Sequence, residues 1–273
     1  MSTPFLPRRR LLSLPLAAAL SPACGAPQVL RLPHPDAYSA HGRFFVELLR
    51  LALARTADGE ALPELVHAAP GLPRERLRQM LHDGQLDLLW STSTPEREAQ
   101  ALPVRFNLLK GTNELRFLLV RAADVPALRQ VRTLDALRAW RAGAGTYWSD
   151  AQILRANGFR VETAPKLELL FRMLKARRFD FMPRTRDELT GELVRFADDG
   201  FAELPGLALQ YRQPLYFFVT RSRPALAERL ARGLALAAAD GSFDSLFLAQ
   251  PELKAALAEV RGYTGLRLQL QPL

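Results

Sequence analysis

Cysteine is almost absent from this sequence, and lysine is scarce. The one cysteine is Cys24, so the remaining chain has no thiol and no internal disulfide, which excludes a disulfide-stapled scaffold and thiol catalysis. Lysine occurs only at Lys110, Lys166, Lys175 and Lys254, so almost all of the 37 basic residues are arginines, scattered along the chain. Against 28 acids they leave a formal charge of +9, and three of those charges are Arg8, Arg9 and Arg10. Diffuse arginine without lysine clusters is a poor footprint for a polyanion, so no nucleic-acid partner is expected. His34, His41, His67 and His82 form no pair at metal-ligand spacing and have no cysteine partner, so neither a metal nor a cofactor is expected. There is no G-x-S-x-G elbow. Gly143-Ala144-Gly145-Thr146-Tyr147-Trp148 places tryptophan where a dinucleotide fingerprint needs its third glycine, and no P-loop lysine follows. No internal repeat recurs, and no apolar run reaches the roughly 20 residues of a spanning helix.

What remains is ordinary globular material. Hydrophobic residues make up 48% of the 273 and charged residues 24%, enough for one large core or two smaller ones. The N-terminus reads as an export signal over residues 1–26. Arg8–Arg10 form a basic region, Leu11–Leu20 an apolar stretch too short to span a bilayer, and Ser21–Ala26 a small-residue cleavage region. Arg8-Arg9-Arg10-Leu11-Leu12 resembles a twin-arginine signal, and Cys24 is a candidate for lipid attachment. A periplasmic location follows as the expectation, with no transmembrane segment in the mature chain.

Beyond the signal, short apolar strands alternate with amphipathic helices. Strands are expected at Val29–Leu32, Glu64–Ala68, Leu86–Trp90, Phe117–Val120, Arg160–Thr163, Phe179–Met182 and Leu215–Thr220. Helices are expected over His41–Ala54, Arg74–His82, Thr133–Trp140, Ser149–Asn157, Leu167–Ala176, Arg186–Ala197, Ala225–Ala239 and Glu252–Val260. Such alternation predicts an α/β fold with helix-covered parallel sheets, in two groups near 29–106 and 115–200.

Three strand ends carry candidate chemistry. Trp90-Ser91-Thr92-Ser93-Thr94-Pro95-Glu96-Arg97 leaves an apolar strand, with Thr94 as helix cap and Pro95 as first helical residue. Its hydroxyls, backbone N–H groups and Arg97 make an anion-binding corner at the carboxyl end of a strand, where open α/β sheets bind ligands. The Gly143–Asp150 turn is a second strand-to-helix corner, with Ser149 as the expected helix cap. Arg184, just past the Phe179–Met182 strand, is a third candidate to meet a carboxylate or phosphate. Each corner also has a plain structural explanation as a capped turn or a surface arginine. Tyr38 and the tryptophans are candidate stacking residues.

In order and spacing these segments resemble the periplasmic solute-binding proteins of ABC importers, in particular the amino-acid-binding family with the type II two-lobed fold. The resemblance rests on Leu81-x-x-Gly84-x-Leu86-Asp87-Leu88-Leu89, Thr94-Pro95-Glu96-Arg97, Gly145-Thr146 and Phe179-Asp180-Phe181. It implies two lobes, 27–108 plus 214–273 and 109–213, each a mainly parallel sheet flanked by helices. Hinge strands near Asn107–Asn113 and Gln210–Pro214 would join them. It implies that Arg97 grips a ligand carboxylate, with Trp90, Thr92, Thr94, Thr146 and Tyr147 around it and Tyr38 stacking on the ligand. Two departures stand out. Pro183-Arg184-Thr185-Arg186 holds no acid where the family receives an ammonium group, and Leu102–Phe106 replaces an acidic stretch. A small anionic solute therefore fits better than a standard α-amino acid, with Arg97, Arg184 and Arg105 facing one cleft. The implied function is a solute-binding protein, not an enzyme, that works with an ABC importer or a sensor. The alternatives are a periplasmic dehydratase on the same fold, which needs a general acid, and a ligand-independent accessory or sensor protein.

Overall fold

The computed structural model describes residues 28–36, 41–59 and 61–273. The expected export signal, Cys24 and Tyr38 lie outside the described residues. The strands, in chain order, are β1 (Val29–Leu32), β2 (Glu64–His67), β3 (Leu88–Thr92), β4 (Leu102–Val104), β5 (Leu115–Arg121), β6 (Ala142–Gly145), β7 (Val161–Ala164), β8 (Phe181–Arg184), β9 (Phe201–Gln210), β10 (Leu215–Val219) and β11 (Leu266–Gln269).

They fall into two groups. In the first, β1 pairs in parallel with β2, and β10 runs antiparallel between β3 and β4. β1 and β3 lie side by side, since Asp87 N–H donates to the Arg31 carbonyl at 2.8 Å and Arg31 N–H to the Asp87 carboxylate at 2.7 Å. The second group is one sheet in the order β11-β9-β5-β8-β6-β7. There β5 is antiparallel to β8 and β9, while β6 runs parallel to β7 and β8.

Both groups bury two faces, so their central strands are mostly apolar, with the buried Arg116 and Arg121 of β5 as exceptions. On β10, Phe217 and Val219 enter the core beneath the helix Gly42–Ala54, while Tyr216 and Phe218 enter a smaller core with Leu77 and Leu81. On β5, Leu118 and Val120 face one core of the larger sheet and Leu115, Phe117 and Leu119 the other. The strand period of two sorts these side chains. Gly233 lets the helix Pro224–Ala239 press on Gly42–Ala54, because a Cβ there would lie 2.0 Å from the Ala52 carbonyl oxygen.

The chain passes between the groups at 105–114 and at 211–214, both outside strands. Asn113 Nδ2 donates to the Gln213 carbonyl and ties these passages together. The expectation that 214–273 stays wholly with the first group is corrected at its end. β11 pairs in parallel with β9, and Leu268 and Leu270 sink into the core of the larger sheet. That makes a third passage between the groups. β9 is hidden in the sequence by Pro205-Gly206, a pair that reads as a turn. In the fold it occupies a bulge where the register on β5 shifts between Phe117 and Leu119, and Gly206 takes φ +79°.

Candidate functional site

At the carboxyl end of β3 the chain turns into the helix Pro95–Gln100. Thr94 caps that helix by accepting from the Arg97 N–H at 3.2 Å, and Pro95 sits at its first position. The cap holds Arg97 in the first turn. Its guanidinium folds back over the strand end and donates to the Thr92 carbonyl at 2.8 Å and hydroxyl at 2.6 Å. Trp90, 1% exposed, packs on Phe45 with ring centroids 5.5 Å apart and forms the floor.

The opposite wall comes from the larger sheet. Gly145 ends β6 without a side chain because the Trp148 ring lies over it, where a Cβ would approach to 2.4 Å. Thr146 donates its N–H to Ala164 at 3.0 Å, so that amide serves the sheet rather than an anion. Ser149 is expected as a helix cap but is the first helical residue of Ser149–Ala156. Its hydroxyl shares a 3.0 Å hydrogen bond with Thr92 and accepts from the Gln213 amide. Asp150 follows, buried against Arg116 at 3.2 Å and accepting from the Tyr211 hydroxyl at 2.5 Å. Burial alone would raise the Asp150 pKa, but Arg116, the Tyr211 hydroxyl and Arg184 together hold it below the ordinary carboxylate value. The first turn of this helix is thus filled by the protein's own carboxylate.

Arg184 does line the cleft, yet its guanidinium is already engaged. Nε donates to Glu192 at 2.8 Å, Nη1 lies 3.2 Å from Glu188, and the group stacks on Trp148 at 4.5 Å from the ring centre. Burial opposes its charge, but Glu188 and Glu192 outweigh that and keep it ionised. Arg105 is displaced from the expected cleft altogether: it pairs with Glu98 on the surface. The acid missing from 183–186 is supplied by the next two residues, since Asp187 and Glu188 reach the cleft from the helix Arg186–Arg195.

Among the described residues, direct contacts between the walls include Thr92 to Ser149, Arg97 to the Tyr147 carbonyl at 3.4 Å, and His41 Nε2 to Asp187 at 2.8 Å. Between the walls lies an inner cavity of about 170 Å³, bordered by Trp90, Thr92, Arg97, Arg116, Asp150 and Arg184 among others. Beside it an outer cavity of about 470 Å³ takes in Thr94, Arg97, Thr146 and Tyr147. The structure therefore gathers Trp90, Thr92, Thr94, Arg97, Thr146, Tyr147 and Arg184 around one cleft, with Thr94 as a buried cap and Tyr147 48% exposed. Sequence reasoning missed Arg116, Asn113, Gln213, His41, Asp187 and Glu188. For Arg116 the signal was present: a charge within the apolar run Leu115–Arg121 demands a buried partner. Among the described residues no group of histidine and acid side chains could hold a metal, and no helix is long and apolar enough to cross a membrane.

Solved structures decide the architecture. An ancestral arginine-binding protein bound to arginine superposes with TM-score 0.59 over 81% of this chain and 97% of its own, at 15% identity. The arginine-, lysine-, histidine-binding protein ArtJ from Geobacillus stearothermophilus matches with TM-score 0.54 over 85% of this chain and 100% of its own, at 12% identity. The chain has the two-lobed fold of type II periplasmic binding proteins. A histidine kinase sensor domain with similarity to periplasmic binding proteins shares the fold at TM-score 0.55 and 14% identity, over 81% of this chain and 93% of its own. These neighbours are binding and sensor proteins. No protein-family model matches the chain, and no curated protein matches it. On the two-lobed fold the cleft described above lies between the lobes.

Proposed function

We propose that the protein is an exported solute-binding protein that closes its two lobes on a small carboxylate-bearing or zwitterionic solute, for import by an ABC transporter or for sensing. The observation that carries this reading is Arg97, bound to Thr92 and reaching Tyr147 on the other lobe, at the junction of two cavities between the lobes. A guanidinium suits a carboxylate because its fork offers two parallel donors. Thr92 orients that fork, and Trp90 gives an apolar floor. Arg184, Arg116, Asp150 and Glu188 shape the far wall as mutually neutralised charges. A ligand touching both walls favours the closed lobes over the open ones by its differential contacts. The lobes of this reading are 28–104 with 215–262, and 115–210 with β11.

A dehydratase needs a carboxylic acid that still carries its proton. Asp150 and Asp187 are both held below the ordinary carboxylate value: burial opposes this, but Arg116 holds the first and His41 the second. The accessory or sensor reading draws on the contacts that the protein's own groups make across the cleft, such as Thr92 to Ser149 and His41 to Asp187.

Calorimetry on the purified protein with amino acids, organic acids and small peptides tests the proposal. A carboxylate ligand should bind saturably and lose about tenfold or more in affinity in Arg97→Ala. Unchanged affinity in that variant would refute the role given to Arg97. No thermal shift with any member of the panel would favour the accessory reading.

A further inference from the structure

The cleft has two compartments of different chemistry. They share Arg78, Arg97 and Trp148, so a group held on Arg97 has access to both. The inner one, about 170 Å³, is close to the ~150 Å³ that encloses a benzene-sized group. It accommodates a head group and not a long chain. Its acids are already engaged: Asp150 by Arg116 at 3.2 Å, Asp187 by His41 at 2.8 Å and Glu188 by Arg184 at 3.2 Å. A free ammonium would have to share one of these. The inner wall does hold a neutral acceptor. Asn113 is 3% exposed, its Nδ2 is committed to Gln213, and its buried Oδ1 has no partner. A neutral N–H suits that oxygen.

The outer compartment, about 470 Å³, is lined by the amides of Gln79, Gln100 and Gln152, by hydroxyls, by His82 and by the charged Glu75, Arg78, Glu96 and Arg97. Glu75, Arg78, Gln79 and His82 fall at i, i+3, i+4 and i+7 of the helix Arg74–His82, so one polar face borders it while Leu77 and Leu81 face the core. Glu75 and Arg78 neutralise one another. Gln100 and Gln152 approach from other elements, and Tyr147 presents its ring. Its amides and hydroxyls match groups that both donate and accept hydrogen bonds, and Glu96 adds an acid that an aminoacyl ammonium can meet.

Resting on the solute-binding reading above, we infer that the solute is an amino acid carried on an amide. Its carboxylate lies on Arg97, its side chain in the inner compartment and its acyl or aminoacyl group in the outer one. The test compares the common L-amino acids with their N-acetyl derivatives, first by thermal shift and then by calorimetry. An acetylated ligand should bind about tenfold tighter than its free parent. The double variant Gln79→Ala/Gln152→Ala, at two positions on the rim of the outer compartment, should remove most of that gain. Free amino acids binding as tightly as the acetylated ones, with both lost in Arg97→Ala, would overturn the inference and leave the solute-binding reading standing. A gain that survives the double variant would also overturn it. If neither series binds while an organic acid does, the inference falls and the solute-binding reading stands; if organic acids and small peptides fail as well, both fall.

Discussion

The two walls of the cleft are built in different ways. The β3 wall comes from eight consecutive residues, Trp90–Arg97, in which strand end, cap, proline and arginine follow one another. The opposite wall draws Arg116 from β5, Trp148–Asp150 from a turn and the helix start that follows it, Arg184–Glu188 from a strand-to-helix junction and Gln213 from a passage between the lobes. Their charges differ as well. Arg97 is half-buried and spends its donors on a backbone carbonyl and a hydroxyl, whereas Arg116 and Arg184 are buried and tied to carboxylates. The first arrangement orients an arginine through a carbonyl and a hydroxyl of its own strand end. The second cancels its charges internally. The β3 wall should thus govern affinity, and the opposite wall stability.

Asp150 gives the largest expected effect. Replacing it with alanine strands the buried Arg116 without its carboxylate, and loss of one partner of a buried pair costs roughly 3–5 kcal/mol. Urea denaturation of Asp150→Ala should show that loss. A cost below about 1 kcal/mol would mean that Gln213 and Tyr211 compensate Arg116 by themselves. The same carboxylate sets a pH dependence. Its folded pKa lies below its ordinary value, so its stabilisation is complete above roughly pH 4 and is lost as pH falls through the lower folded value. The denaturation midpoint should therefore fall on the acid side, and Asp150→Asn should flatten that limb.

Arg97 is the converse case. Arg97→Ala should change stability by less than about 1 kcal/mol, because the groups it leaves are half-buried and water can replace it. Its effect on carboxylate affinity should be tenfold or larger. Equal effects of Asp150→Ala and Arg97→Ala on stability would erase the distinction between the walls.

This contrast also explains what could be read from the chain alone. Arg97, Thr92 and Trp90 are legible because strand, cap and helix start are local patterns, and the structure brings these residues together. Most strands and helices were legible for the same reason: periods of two and of 3.6 are local. Asp187 and Glu188 escaped because a first-turn acid is also what any helix N-terminus favours. Ser149 was read as a cap because hydroxyls commonly cap helices, yet its partners Thr92 and Gln213 lie far away in sequence. β11 escaped because four residues near the end of a chain have no strong period, and only the open edge of β9 gives them a partner. Arg184 was legible as a charge at a strand end but not as one engaged by Glu192, which lies two helical turns beyond it.

Thr94 gives the smallest expected effect and separates capping from ligand contact within the β3 wall. Its hydroxyl accepts from the Arg97 N–H at 3.2 Å, and the residue is 4% exposed, so its role in this geometry is to start the helix that carries Arg97. Thr94→Ala should cost about 1 kcal/mol of stability, as loss of a helix cap does, and Thr94→Ser should restore most of it. Both variants should keep carboxylate affinity within about threefold of the parent, because Thr92 still orients the guanidinium through its carbonyl and hydroxyl. If Thr94→Ala instead lost tenfold in affinity and Thr94→Ser recovered it with unchanged stability, the hydroxyl would belong to the ligand. The β3 wall would then meet the solute through two side chains rather than through Arg97 held by Thr92.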